Sequence, residues 1–75
     1  MNRNEFGWDA TFGVHRDGTK EVIAFGNIGY RKNALNHYGC TAIYQRTPEE
    51  MTDEEFEMAV EARKDFIEFL MQWSN

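Results

Sequence analysis

From Met51 to Trp73 apolar residues recur at spacings of three and four. Phe56, Ala59, Val60, Phe66, Ile67, Leu70 and Trp73 are separated by acidic and polar positions. Such a stripe marks an amphipathic helix that packs on a core. Its start is signalled twice. Thr47-Pro48-Glu49-Glu50 places a capping threonine before a proline at the first helical position, where the missing N–H costs nothing. Thr52-Asp53-Glu54-Glu55 repeats the signal, with Thr52 and Glu55 in the reciprocal positions of a capping box and Met51 and Phe56 at the spacing of a hydrophobic staple. The pattern predicts a short turn over 48–51 and a main helix over about 53–73. Phe69 and Met71 fall beside the stripe, so the turns from Phe66 to Trp73 are apolar around most of their circumference. An end of that kind is expected to be covered by more than one surface.

Upstream the period changes from helical to strand-like. Residues 5–15 alternate, with Phe6, Trp8, Ala10, Phe12 and Val14 on one face of a predicted strand. Asp17-Gly18 is a dipeptide favoured in two-residue hairpin loops, and centring the turn there sets Phe12 opposite Ile23 and Ala10 opposite Phe25. The large side chains of both strands then meet on the Trp8 face, ready to receive the helix. A single helical turn capped by Asn33 and ended by Gly39 is expected next. Cys40 to Arg46 reads as a third strand, with Ala42 and Tyr44 on one face and Thr41 and Ile43 on the other. The expectation is one α+β domain over 1–75: a three-stranded antiparallel sheet (about 5–15, 20–30 and 40–46) packed on one face by the long C-terminal helix. The opposite face would carry Gly7, Thr11, Gly13, Val22, Ala24, Gly26 and Ile28. That is either a weakly decorated outer face or a flat apolar surface open to another protein.

Composition limits how such a fold is stabilised. A chain of 75 residues buries only about 60% of its extended surface. Cys40 is the sole cysteine, so no intrachain disulfide is available. Six Phe and two Trp argue instead for a dense aromatic core, to which a homodimer interface would add. No signal peptide or membrane-spanning stretch is read, so the expected location is cytoplasmic, the host cytoplasm for a phage-encoded chain.

Charge is uneven along this plan. Residues 1–46 hold six basic residues against four acids, a net of +2, while 47–75 hold nine acids against Arg63 and Lys64, a net of −7. Acids in the first helical turn are stabilised by the helix dipole, by about 0.3–1 kcal/mol each. Glu57 and Glu61, however, form a like-charge pair one turn apart, which costs about 0.2–0.5 kcal/mol. The run therefore reads either as a solvated, dipole-complementing face or as an acidic docking surface for a basic partner.

Candidate chemistry is thin. His37 and Cys40 have the spacing of two metal ligands, but a structural zinc site needs four, and only His15 and acids remain to complete one. A Cys–His nucleophile would need an orienting group and an oxyanion site that the sequence does not identify. The glycines around Gly26 and Gly29 match no phosphate loop. The sequence thus assigns no enzyme activity, catalytic residue, cofactor or metal. Tyr30, Arg31, Lys32, His37 and Tyr38 form a basic-aromatic cluster suited to stacking on nucleic acid, although the acidic segment would repel phosphate unless turned away.

What remains is a small acidic protein-binding module, an inhibitor or regulator docking on a basic, nucleic-acid-binding type of surface of another protein. Phage-encoded inhibitors share its size and composition, an analogy with no motif behind it. Glu54, Glu57, Glu61, Asp65 and Glu68 form the expected charged edge, and Phe69, Met71 and Trp73 the expected apolar end. Two alternatives stand beside it: a structural or regulatory homodimer closed through that apolar end, and a small nucleic-acid binder using the 30–38 cluster.

Overall fold

The first six residues already depart from strand geometry. In a computed structural model, which describes residues 1–30 and 39–73, a short helix α1 (Arg3–Phe6) precedes the sheet. Asn2 caps it by accepting the Glu5 N–H at 3.0 Å, and Gly7 ends it in the left-handed region with φ 70°. The strands β1 (Ala10–His15), β2 (Lys20–Phe25), β3 (Ile28–Gly29) and β4 (Cys40–Arg46) follow, and α2 (Asp53–Trp73) closes the chain. All neighbouring strands are antiparallel, in the order β3-β2-β1-β4. The architecture is α+β, a small antiparallel sheet packed by a long C-terminal helix.

Three differences from the expected strands have local causes. The strand expected over 5–15 begins only at Ala10, because the Asn2 cap and Gly7 turn the preceding residues into α1. Phe6 and Trp8 still reach the core from this helix and its exit. The strand expected over 20–30 is broken after Phe25, where Gly26 takes φ 56° and a two-residue turn at Gly26-Asn27 folds β3 back on β2. Glycine at the first central position is what such a turn requires. The loop between β1 and β2 is longer than a two-residue turn: His15 N–H donates to Thr19 O at 2.7 Å and Gly18 N–H to His15 O at 2.9 Å. Only Gly18, at φ 89°, is left-handed, so Arg16, Asp17 and Gly18 form a three-residue loop.

The register shifts in consequence. Ala10 pairs with Phe25 as expected, but a bulge between Thr11 and Phe12 sets Phe12 opposite Val22 instead of Ile23. Val22 therefore joins the helix-facing core, and Ile23 moves to the side of Gly13. A second irregularity between Val14 and His15 brings His15 opposite Cys40. The single turn expected over 33–39 lies almost wholly outside the described residues.

α2 starts as its sequence signals. Thr52 N–H donates to Glu55 Oε1 at 2.9 Å and Glu55 N–H returns to Thr52 Oγ1 at 3.1 Å, closing the capping box. Thr47 N–H and Glu50 Oε1 make the same kind of contact one turn earlier, at 2.9 Å. The buried positions of the helix are Glu55, Ala59, Ala62 and Phe66. This line is rotated from the expected stripe, with Val60 and Ile67 at its margins and Leu70 left 47% exposed. Alanines at 59 and 62 let the helix lie close to the sheet, and the rings of Phe6, Trp8, Phe25, Tyr30 and Phe66 fill the remaining space with centroids 5.4–6.4 Å apart. A helix of 21 residues is about 30 Å long, against about 20 Å for the six-residue strands. Its last turns outrun the sheet.

Candidate functional site

Rotation of the buried line decides what α2 presents outward. Glu54, Glu57, Glu61 and Glu68 are exposed and Asp65 is half-buried. At 3.6 residues per turn these five fall within an arc of about 80°, a single acidic ridge along the helix. Among the described residues, Lys20 Nζ lies 3.9 Å from Glu54 Oε1, and Lys64 Nζ lies 3.5 Å from Glu61 Oε1. Arg63, the other cation of α2, turns the opposite way. Its guanidinium sits 4.6 Å from the Trp8 ring centroid and 5.6 Å from that of Phe6.

Toward its C-terminal end the ridge meets apolar surface. Phe69 is 51% exposed, Leu70 47% and Met71 63%. Trp73 ends the helix, and its side chain lies outside the described part of the structure. A groove of about 440 Å³ runs between the end of β3 and this part of α2, lined among the described residues by Gly29, Tyr30, Asp65, Phe66, Glu68 and Phe69 with Gln72. Carboxylates and aromatic rings share its walls. A guanidinium or ammonium group entering it would meet negative charge and ring faces together. Sequence reading found the ridge and the apolar end as separate features, and missed the groove because it needs β3 and Tyr30 folded back beside the helix. The Gly26-Asn27 turn was the available signal. Of the basic-aromatic cluster, Tyr30 packs against Phe25 and Phe66, and Arg31, Lys32, His37 and Tyr38 lie outside the described residues.

The helix start that carries the ridge is electrostatically fixed. Glu55 is 4% exposed, yet it accepts both the Thr52 N–H and the Tyr44 hydroxyl, the latter at 2.6 Å. Burial pushes its carboxyl up, but those two hydrogen bonds, with Lys20 and Arg46 nearby, outweigh it and hold the group below the usual carboxylate range. Tyr44 responds oppositely: burial, the hydrogen bond to Glu55 and that carboxylate's charge push its hydroxyl up to about 12.

On the sheet face away from α2, the bulges gather a second group of polar side chains. His15 is 8% exposed. Its Nε2 lies 3.0 Å from Glu21 Oε1 and 3.7 Å from Cys40 Sγ, and Nδ1 lies 4.0 Å from the same sulfur. Three strands each supply one of these residues.

Neither a protein family, a curated protein nor a solved structure detectably matches the chain. No helix among the described residues is long and apolar enough to cross a membrane.

Proposed function

We propose that the chain is a protein-binding module whose α2 ridge and adjoining groove dock on a basic surface of another protein, as an inhibitor or regulator of that partner. The observation that carries this reading is the arrangement of Glu54, Glu57, Glu61, Asp65 and Glu68 on one arc that ends in a groove walled by Asp65, Glu68, Tyr30 and Phe69. The ridge supplies long-range attraction to a positive surface, which raises association rates and depends on salt. The groove supplies a place where a partner's Arg side chain is desolvated between rings and carboxylates, and Arg in such a setting is one of the residue types enriched among interface hot spots. Folding accounts for Glu54, in the first turn beside Lys20, and pairs Glu61 with Lys64, but it does not call for Glu57, which repels Glu61 one turn on.

The test compares capture from a bacterial lysate by the parent and by a variant carrying Glu54→Lys, Glu57→Lys and Glu61→Lys, at low and physiological salt, with circular dichroism to confirm that the variant is folded. Basic-surfaced proteins are expected on the parent and not on the variant. The same proteins retained by both would remove the ridge from the interface. Sedimentation velocity separates the homodimer alternative: a micromolar dimer that loses half its mass on Phe69→Glu or Met71→Glu would place the apolar end between two copies instead.

A further inference from the structure

The His15, Glu21 and Cys40 side chains sit on β1, β2 and β4, on the face opposite α2, and the proposed docking ridge makes no use of them. One ligand-type atom from each can be chosen so that all three lie within 4.8 Å of one another. Tetrahedral zinc, with Zn–N and Zn–O near 2.0–2.1 Å and Zn–S near 2.3 Å, sets its N and O ligand atoms about 3.3 Å apart and its N and S atoms about 3.6 Å apart. The corresponding separations here are 3.0 Å and 3.7 Å, and because Sγ is nearly as close to Nδ1, at 4.0 Å, the His15 ring has to re-orient for Nε2 and the sulfur to face one ion. We propose that His15 Nε2, a Glu21 carboxylate oxygen and Cys40 Sγ bind a divalent zinc ion, leaving a fourth position for water or an exogenous ligand.

The backbone around the three residues is cut to admit them. A Cβ at Gly13 would lie 2.8 Å from Cys40 Sγ, so only glycine leaves the sulfur in this place. A Cβ at Gly39 would lie 3.3 Å from His15 Nδ1. The bulge between Val14 and His15 is what sets His15 opposite Cys40, and β-bulges commonly re-aim a side chain in this way. Mixed imidazole, thiolate and carboxylate donors favour zinc over magnesium or calcium, which prefer oxygen alone. Bound there, the ion joins β1 to both of its neighbours on the side of the sheet that α2 does not cover.

Cobalt(II) is the probe, titrated into the reduced, metal-free chain, because a thiolate bound to it gives a near-ultraviolet charge-transfer band and tetrahedral coordination gives strong visible bands. Cys40 is the only cysteine, so any such band reports this residue without help from a variant. One cobalt per chain, displacement by zinc, a zinc-dependent rise in melting temperature and at least tenfold weaker binding in His15→Gln and Glu21→Gln are expected. Cys40→Ser should lose the charge-transfer band while keeping its far-ultraviolet spectrum. No thiolate band at millimolar cobalt, one metal per two chains, or unchanged affinity in both His15→Gln and Glu21→Gln would each overturn the site. Because the readout is metal binding, it is independent of whether the α2 ridge captures a partner.

Discussion

The Tyr44 hydroxyl donates to Glu55 Oε2 at 2.6 Å while Glu55 Oε1 closes the Thr52 cap at 2.9 Å. One buried carboxylate therefore completes the start of α2 and ties it to the edge strand β4. Tyr44→Phe removes the donor and leaves a buried carboxylate oxygen short of a partner, with the ring still stacked 5.5 Å from Phe12. The expected loss is about 1.5–3 kcal/mol, the range for hydrogen bonds to charged groups. Urea denaturation checks it, and a loss below about 0.5 kcal/mol would show that the bond stabilises nothing beyond what water offers.

The same contact makes stability depend on pH at both ends of the scale. Tyr44 is raised in the folded chain to about 12 from an ordinary value of 10.0, so its contribution is complete below the ordinary value and is lost as pH rises through the folded one. Glu55 is lowered, so its contribution is complete above the ordinary carboxylate range and is lost as pH falls through its folded value. Denaturation midpoints should decline as pH rises from 10 toward about 12. Tyr44→Phe should remove much of that alkaline decline, and an unchanged slope would assign it to other groups.

Arg3 fastens the N-terminus to the turn before α2. Its Nη1 donates to Pro48 O at 2.9 Å and to Met51 O, its Nη2 lies 2.8 Å from Asp53 Oδ1, and the guanidinium is 5.1 Å from the Phe56 ring centroid. The Asp53 carboxylate is fully solvated, whereas the carbonyl contacts are partly buried. Magnitudes should follow burial. Arg3→Ala is expected to cost about 1–3 kcal/mol through lost hydrogen bonds and packing, and Asp53→Asn far less. Equal losses in thermal denaturation would place the energy in the ion pair instead.

Much of this fold was legible because the helix carries its own punctuation. Thr52 and Glu55 form the capping box their spacing announces, and α2 spans the expected residues. What failed was register. A bulge is one extra residue with no strong sequence mark, and the one at Ile23 exchanged Val22 and Ile23 between the two faces. That exchange, with the second bulge at His15, also built the His15, Glu21 and Cys40 cluster. Its members were in plain view as residue types, but 25 positions separate the histidine from the cysteine, and a local motif search reads only short spacings. The acidic edge was legible for the opposite reason, since helical spacing alone places its members together. Leu70 was misplaced because periodicity says which face a residue occupies and nothing about where the sheet beneath it stops.

Gly13 offers a test of the packing around Cys40 that needs no metal. Gly13→Ala places a Cβ 2.8 Å from Cys40 Sγ and 3.4 Å from Ile23 Cγ2. The cysteine side chain is too short to swing aside at low cost, and overpacking of this kind costs about 1–3 kcal/mol. Cys40→Ala removes the sulfur and leaves the nearest Cys40 atom, Cβ, 3.8 Å away. The double variant should therefore recover most of the loss, with a coupling of at least about 1 kcal/mol in a double-mutant cycle. Additive effects would mean that the strain at Gly13 comes from Ile23 or the backbone.

Glu57 separates the two explanations of the acidic ridge, because folding and docking demand opposite things of it. It lies beyond the first turn of α2, where the helix dipole has little hold on it, and one turn before Glu61. Removing its charge relieves a like-charge pair, so Glu57→Gln should stabilise the chain by about 0.2–0.5 kcal/mol and Glu57→Lys by roughly twice that. If the ridge is a docking surface, the same substitutions weaken partner capture, most strongly at low salt where steering is least screened. The expected result is a rise in melting temperature together with a loss of capture. A rise in melting temperature with capture unchanged identifies Glu57 as an uncompensated charge outside the interface, and a fall in melting temperature would mean that the ridge serves the fold.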